Sequence, residues 1–178
     1  MFITSKKEAI KKYLISVGAQ KIPHIKNGSL FDHLCRVGDI LEYWGLSEEV
    51  VYAGMCHSLY STEVFKTAVL TVDKRNELIS IIGSSSEGLV YTFCTIKRSS
   101  FSVSEDVYSY EHLFSKERIS LSKEVFISIQ HILLANDIDH LNSFNIPSRS
   151  SSFGKYVRWM PLLCQKAKEY LSLFAVDR

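Results

Sequence analysis

The chain has 178 residues with 21 basic and 19 acidic side chains, a formal charge of +2. So even a balance sets up no global field toward nucleic acid or an anionic membrane, and neither is an expected partner. With 46% apolar residues, 12% aromatic residues and 3 prolines, the composition excludes a disordered chain and suits one domain over residues 1–178.

The opening MFITSKKEAIKKYLISVGAQ mixes lysines into its apolar residues and lacks the run of about 7–15 apolar residues that a signal peptide needs. It reads as a first helix, with Ser5 and Glu8 at capping-box spacing and Gly18 as the stop. No apolar run approaches the roughly 20 residues of a membrane span, so a soluble, cytoplasmic protein is expected. Cys35, Cys56, Cys94 and Cys164 form no C-x-x-C pair and read as free thiols.

Ser29 and Asp32 open a second helix, in which His33, Val37, Ile40, Leu41 and Trp44 fall on one stripe before Gly45. His33 is therefore expected to point into the core. A short third helix starts near Ser47, has Glu48 and Glu49 at its favourable end, and carries Val50, Ala53, Gly54 and His57 on one face. The stretch SLYSTEVFKTAVLTV that begins at Ser58 breaks helical periodicity and reads as a loop.

Helical signals return near Asp73, run through Leu78, Ile79 and Ile82 to Gly83, and resume with Ser84 and Glu87 as another capping-box pair. Residues 98–110 alternate apolar and polar positions around Phe101, Val103 and Val107, the pattern of a short hairpin or an irregular loop. A long helix is expected over 121–142, with an apolar face that turns polar at Asn136, Asp137 and His140. Pro147 and Ser148 to Ser152 then break the chain, and Pro161 opens a last helix. About seven helices joined by short loops define an all-α fold with no internal repeat.

Two imidazoles facing inward from neighbouring helices need partners, because burying a polar ring costs free energy unless its nitrogens are satisfied. They are either core histidines bonded to protein groups or, with a carboxylate from the 136–140 patch, the facial ligand set that suits iron or another divalent metal.

The stretch SLFDHLCRVGDILEYWGLSEEVVYAGMCHSLYSTEVF resembles the opening of an HD-type domain, in which a first histidine on one helix precedes a His-Asp step on the next. The wording is similar to ppGpp hydrolases. With IIGSSSEGLVYTFC it is closest to a small, uncharacterised HD-like branch that carries His-Ser in place of His-Asp, a likeness spanning residues 24–98.

The resemblance implies His33 and His57 as metal ligands, Asp137 as the distal aspartate with Asp139 as runner-up, and Ser58 at the place of the paired aspartate. A hydroxyl there is a poor ligand and cannot bridge two ions, which favours a single divalent ion, iron or manganese, over a dinuclear site. The acidic pair of ppGpp hydrolases falls on Ser61 and Thr62, which argues against that reaction.

Glu63 or His24 would move the proton, and Ser58 is a further candidate hydroxyl participant. Arg36 would bind substrate phosphate or pair with an acid such as Asp39. Tyr60 and Thr62 offer hydroxyls to a substrate, and the family likeness adds Arg75, Tyr91 and Arg98.

The implied function is a metal-dependent hydrolase acting on a small phosphate-bearing substrate. The alternatives are a mononuclear iron oxygenase or a noncatalytic ligand-binding or interaction protein that keeps a degenerate metal site. IPSRSSSFG lacks a full Gly-rich phosphate loop, so no nucleotide cofactor is expected. The cations and aromatics between Arg149 and Tyr170 read as a solvated face above an apolar stripe.

Overall fold

Ser29 Oγ accepts the Asp32 backbone N–H at 3.2 Å and the Asp32 carboxylate accepts the Ser29 N–H at 3.1 Å, so α2 (Leu30–Tyr43) opens on the expected capping box. The computed structural model describes residues 2–24, 28–144 and 153–174. Helix α2 lies at the centre, packed against α3 (Glu48–Gly54) and α6 (Lys123–Phe144). Its buried stripe is Leu30, His33, Leu34, Val37, Gly38 and Leu41. Gly45, at φ +76°, ends the α2 turn as expected of a glycine past a helix end.

Around this centre are α1 (Phe2–Ser16), α4 (Arg75–Ile82), α5 (Ser84–Thr95), α7 (Gly154–Val157) and α8 (Gln165–Phe174). The result is a largely helical architecture with eight helices among the described residues. None of these helices is long and apolar enough to cross a membrane.

Close approach of α2 and α3 depends on two glycines. A Cβ on Gly54 would overlap the Leu41 Cδ1 atom, and one on Gly38 would overlap the Met55 side chain. These contacts fix the distance between the two backbones that present His33 and His57.

Two short antiparallel pieces complete the fold. Strands β1 (Pro23–His24) and β2 (Gly28–Ser29) pair just ahead of α2. The alternation at 98–110 becomes a hairpin of β3 (Ser102–Ser104) and β4 (Val107–Glu111), turned by Glu105 and Asp106 at φ 49° and 64°. Strand β5 (Arg118–Leu121) adds a third strand on the other edge of β4, in the register Tyr108↔Leu121 to Glu111↔Arg118. The sheet docks on α6 through Tyr108, whose ring lies 4.9 Å from that of Phe126.

Several boundaries differ from those read in the sequence. Helix α1 has already started at Phe2, so Ser5 and Glu8 lie inside it, and Glu8 pairs with Lys11 at 2.8 Å. Gly83 is the N-cap of α5, which leaves Glu87 free to turn inward, 1% exposed, onto Arg75 and Tyr60. Pro161 sits in a single 3-10 turn, Met160–Leu162, and the last helix begins at Gln165. The expected break at Pro147 and Ser148 to Ser152 lies outside the described residues. All four cysteines are free thiols, Cys56 and Cys94 buried and Cys35 and Cys164 partly so.

Candidate metal centre

His33 stands on α2, 1% exposed, and its Nδ1 lies 2.7 Å from the Asp139 carboxylate on α6. The same carboxylate receives Arg36 Nε at 2.6 Å and Arg36 Nη2 at 3.0 Å. Burial works to raise the Asp139 pKa, but the hydrogen bonds from His33 and Arg36 outweigh it and hold the group at about 2. Asp139 thus takes the His33 Nδ1–H, and Nε2 is the ring nitrogen turned toward His57.

His57 lies three residues beyond the end of α3, in the following turn rather than on a helix face. Its Nδ1–H donates to the Gly54 carbonyl at 2.7 Å, satisfying one of the carbonyls left open at the helix end. The Cys94 thiol donates to the His57 carbonyl at 3.2 Å, so backbone and ring are both anchored. Burial, with the nearby His33 second, pushes the His57 pKa well down and keeps the ring neutral.

The two Nε2 atoms face one another, 3.3 Å apart. Asn136 Oδ1 joins them 3.0 Å from His57 Nε2, while Asn136 Nδ2 donates to Asp137 Oδ1 at 3.1 Å, which sets the amide orientation. Two ring nitrogens and an amide oxygen thus converge from α2, from the turn after α3 and from α6, each of a type able to ligate a divalent cation.

The spacing fits one. Two nitrogens each about 2.1 Å from a common ion, at a roughly tetrahedral angle, stand about 3.4 Å apart. The back-side hydrogen bonds, His33 to a carboxylate and His57 to a carbonyl, are those that orient metal-binding imidazoles.

A second set shares His33. His24, His33 and His140 offer one nitrogen each within 4.8 Å of one another, a cluster able to hold a divalent ion. The ring centroids of His24 and His140 lie 4.5 Å and 4.9 Å from that of His33. Burial, with the nearby His33 second, pushes the pKa of both His24 and His140 down to about 4, so both are neutral near pH 7.

These residues line a cavity of about 170 Å³ that also touches Ser58, Thr62, Phe65, Phe93, Arg98 and Asp137. Two of its polar atoms, His24 Nε2 and Ser58 Oγ, are buried without a hydrogen-bond partner. An unsatisfied buried polar atom costs about 1–3 kcal/mol, so both suit a site that takes up a polar guest.

Not every residue singled out in the sequence comes here. Asp137 reaches the cavity wall, with its Oδ2 held by the Tyr156 hydroxyl at 2.8 Å and by Lys155 at 2.6 Å, while Asp139 is the acid bonded to His33. Thr62 also reaches the cavity, its Oγ1 accepting the Phe65 N–H at 2.9 Å. Arg36 pairs with Asp139, and Asp39 is taken by Lys7 at 2.9 Å. Glu63 accepts the Arg98 backbone N–H at 2.8 Å.

Tyr60, Arg75 and Tyr91 gather around the buried Glu87 instead. Arg75 binds that carboxylate through two 2.7 Å bonds and lies 4.0 Å over the Tyr91 ring. Asn136 and His140 were visible only as polar positions on the α6 face. The signal that selects them is their i, i+4 spacing, with Asp139 between them on the same side.

Residues 13–98 match the model of a family described as a domain of unknown function, DUF6817. No curated protein matches the sequence. Among solved structures, the chain is similar to a metazoan ortholog of SpoT, described as hydrolyzing ppGpp and playing a role in starvation responses. The TM-score is 0.53 at 13% identity, over 95% of this chain and 92% of that one. At that identity the likeness concerns the fold, which is of the HD-like all-α type.

Proposed function

We propose that the chain acts as one domain, a metal-dependent hydrolase of HD-like type for a small phosphate-bearing substrate. The observation that carries this reading is the approach of the His33 and His57 Nε2 atoms to 3.3 Å with both Nδ1 positions already bonded. His33, His57 and Asn136 would hold the ion, with His24 and His140 beside them. An imidazole-rich set suits iron or zinc better than magnesium. When bound, such an ion supplies Lewis-acid polarisation and lowers the pKa of a water molecule.

The chain's own residues do the rest. Asp139 and the Gly54 carbonyl orient the two imidazoles, and Arg98 on the cavity wall offers a guanidinium to a substrate phosphate. His24 and His140, neutral near pH 7, are placed to accept a proton. Phe65 and Phe93 narrow the cavity and limit bulk water.

The test is anaerobic purification followed by metal analysis of wild type and His57→Ala, with a panel of phosphomonoesters and phosphodiesters assayed for phosphate release. About one equivalent of metal, lost in the variant together with hydrolysis, is the expected result. Folded wild-type protein that stays metal-free when supplied with iron, manganese and zinc would overturn the reading.

A further inference from the structure

A second cavity, of about 290 Å³, is lined by Arg98, by Gln130 and Leu133 of α6 and by the segment around Trp159. Its chemistry is of one kind. Arg98, Lys155 and Arg158 line it, and among the described residues no carboxylate does. Lys155 is already neutralised by Asp137 at 2.6 Å, whereas Arg98 and Arg158 have no carboxylate within salt-bridge distance among the described residues. Arg158 is held 4.4 Å over the Trp159 ring, so its guanidinium is placed without being neutralised.

Phe101, Tyr156 and Trp159 supply flat aromatic walls, with Leu133 and Ser99 beside them. Into them faces Gln130, 1% exposed, whose Nε2 is buried with no hydrogen-bond partner. A buried amide N–H left open in an aromatic, cationic pocket calls for an acceptor on the guest.

Arg98 lines this cavity and the histidine cavity alike. The histidine cavity alone is smaller than the roughly 300–1,000 Å³ of ordinary ligand sites, and the two together fall within that range.

We propose that the two cavities form one bipartite substrate site. Arg98 and Arg158 take the phosphate, and the second cavity takes a planar ring carrying a hydrogen-bond acceptor for Gln130. The substrate class is then a ring-bearing phosphate ester, either a nucleotide or a simple aryl phosphate. This deepens the hydrolase reading and rests on it, although ring binding itself needs no metal.

The experiment is a titration of metal-stripped protein, followed by calorimetry and Trp159 fluorescence, with adenosine monophosphate, guanosine monophosphate, phenyl phosphate, adenosine and inorganic phosphate. A ring-phosphate probe is expected to bind at least about tenfold more tightly than either adenosine or inorganic phosphate. Tighter binding of a nucleotide than of phenyl phosphate assigns the first source, and equal binding the second. Arg158→Ala, on an exposed residue, and Gln130→Leu, which removes the open amide, should each weaken that probe about tenfold with the fold intact by circular dichroism.

The same titration on His57→Ala separates the two readings, because this variant is expected to keep ring-phosphate binding while losing metal. Inorganic phosphate binding as tightly as every ring-bearing probe, or unchanged affinity in both Arg158→Ala and Gln130→Leu, overturns the proposal.

Discussion

Replacing Asp139 by asparagine tests the metal centre through a residue that touches no ion. The carboxylate is 3% exposed and accepts three hydrogen bonds, from His33 Nδ1 at 2.7 Å and from Arg36 at 2.6 Å and 3.0 Å. Asn is nearly the same shape, but it has one acceptor oxygen and faces the remaining donor with an NH₂ group. One charge-assisted bond is lost, worth about 1.5–3 kcal/mol, and His33 is free to adopt the other tautomer. Loss of such a supporting carboxylate lowers metal affinity about 10–100-fold, or about 1.4–2.7 kcal/mol, in agreement with the hydrogen-bond figure. Competition with a chromophoric chelator measures it on wild type, Asp139→Asn and Asp39→Asn, the last a control on an exposed acid paired with Lys7. Equal affinity in wild type and Asp139→Asn would refute the assignment of His33 as a ligand oriented from behind.

Gly54→Ala should destabilise the fold by about 1–3 kcal/mol, since its methyl group meets the fully buried Leu41, and denaturant unfolding will read this as a lowered midpoint. Ser58→Asp places a carboxylate beside the histidines and is expected to raise metal affinity or stoichiometry in the same chelator assay; no change in either would count against the register of the site. In metal-free protein, folded His24 and His140 protonate near pH 4 and the unfolded chain near 6.5. The unfolded state therefore takes up protons first, and stability should hold above pH 6.5 and fall between 6.5 and 4, whereas a flat urea midpoint from pH 7 to 5 would contradict it. Glu87→Ala leaves Arg75 without its buried partner and should cost about 3–5 kcal/mol, reduced by the partial exposure of Arg75; a thermal midpoint within a degree of wild type would exclude a structural role for this cluster.

The parts of this site carried by helix periodicity were legible in the sequence. His33 sits on an apolar stripe whose inward face could be counted off, and Ser29 with Asp32 announced where that helix begins. His57 was found for a partly different reason than its geometry provides, because α3 stops at Gly54 and the imidazole reaches back to cap it. On α6, the step of about 100° per residue puts Asn136, Asp139 and His140 on one side and Asp137 off to the flank, but choosing among them needs the position of His33 across the core. His24 was singled out in the sequence, but its place beside His33 depends on the pairing of β1 with β2, as that of Glu87 does on Arg75 twelve residues away, contacts that local pattern does not encode. The third strand was missed because β5 is only four residues long, with burial that merely alternates between exposed and intermediate.

The segment between Leu59 and Leu70 has a consequence for how this pocket can diversify. The Leu59 carbonyl accepts the N–H groups of both Val69 and Leu70, at 2.8 Å and 2.9 Å, so the chain returns to where it left and the intervening loop is tied off at its neck. Thr62, Val64 and Phe65, all within that loop, form part of the cavity wall. Lengthening a closed surface loop adds only about 0.6 kcal/mol of closure entropy per doubling. Substitutions and insertions there can therefore reshape the pocket mouth while α2, α3 and α6 keep their packing. The fold thus separates a loop with room to vary from the fixed framework of helices that carries the histidines.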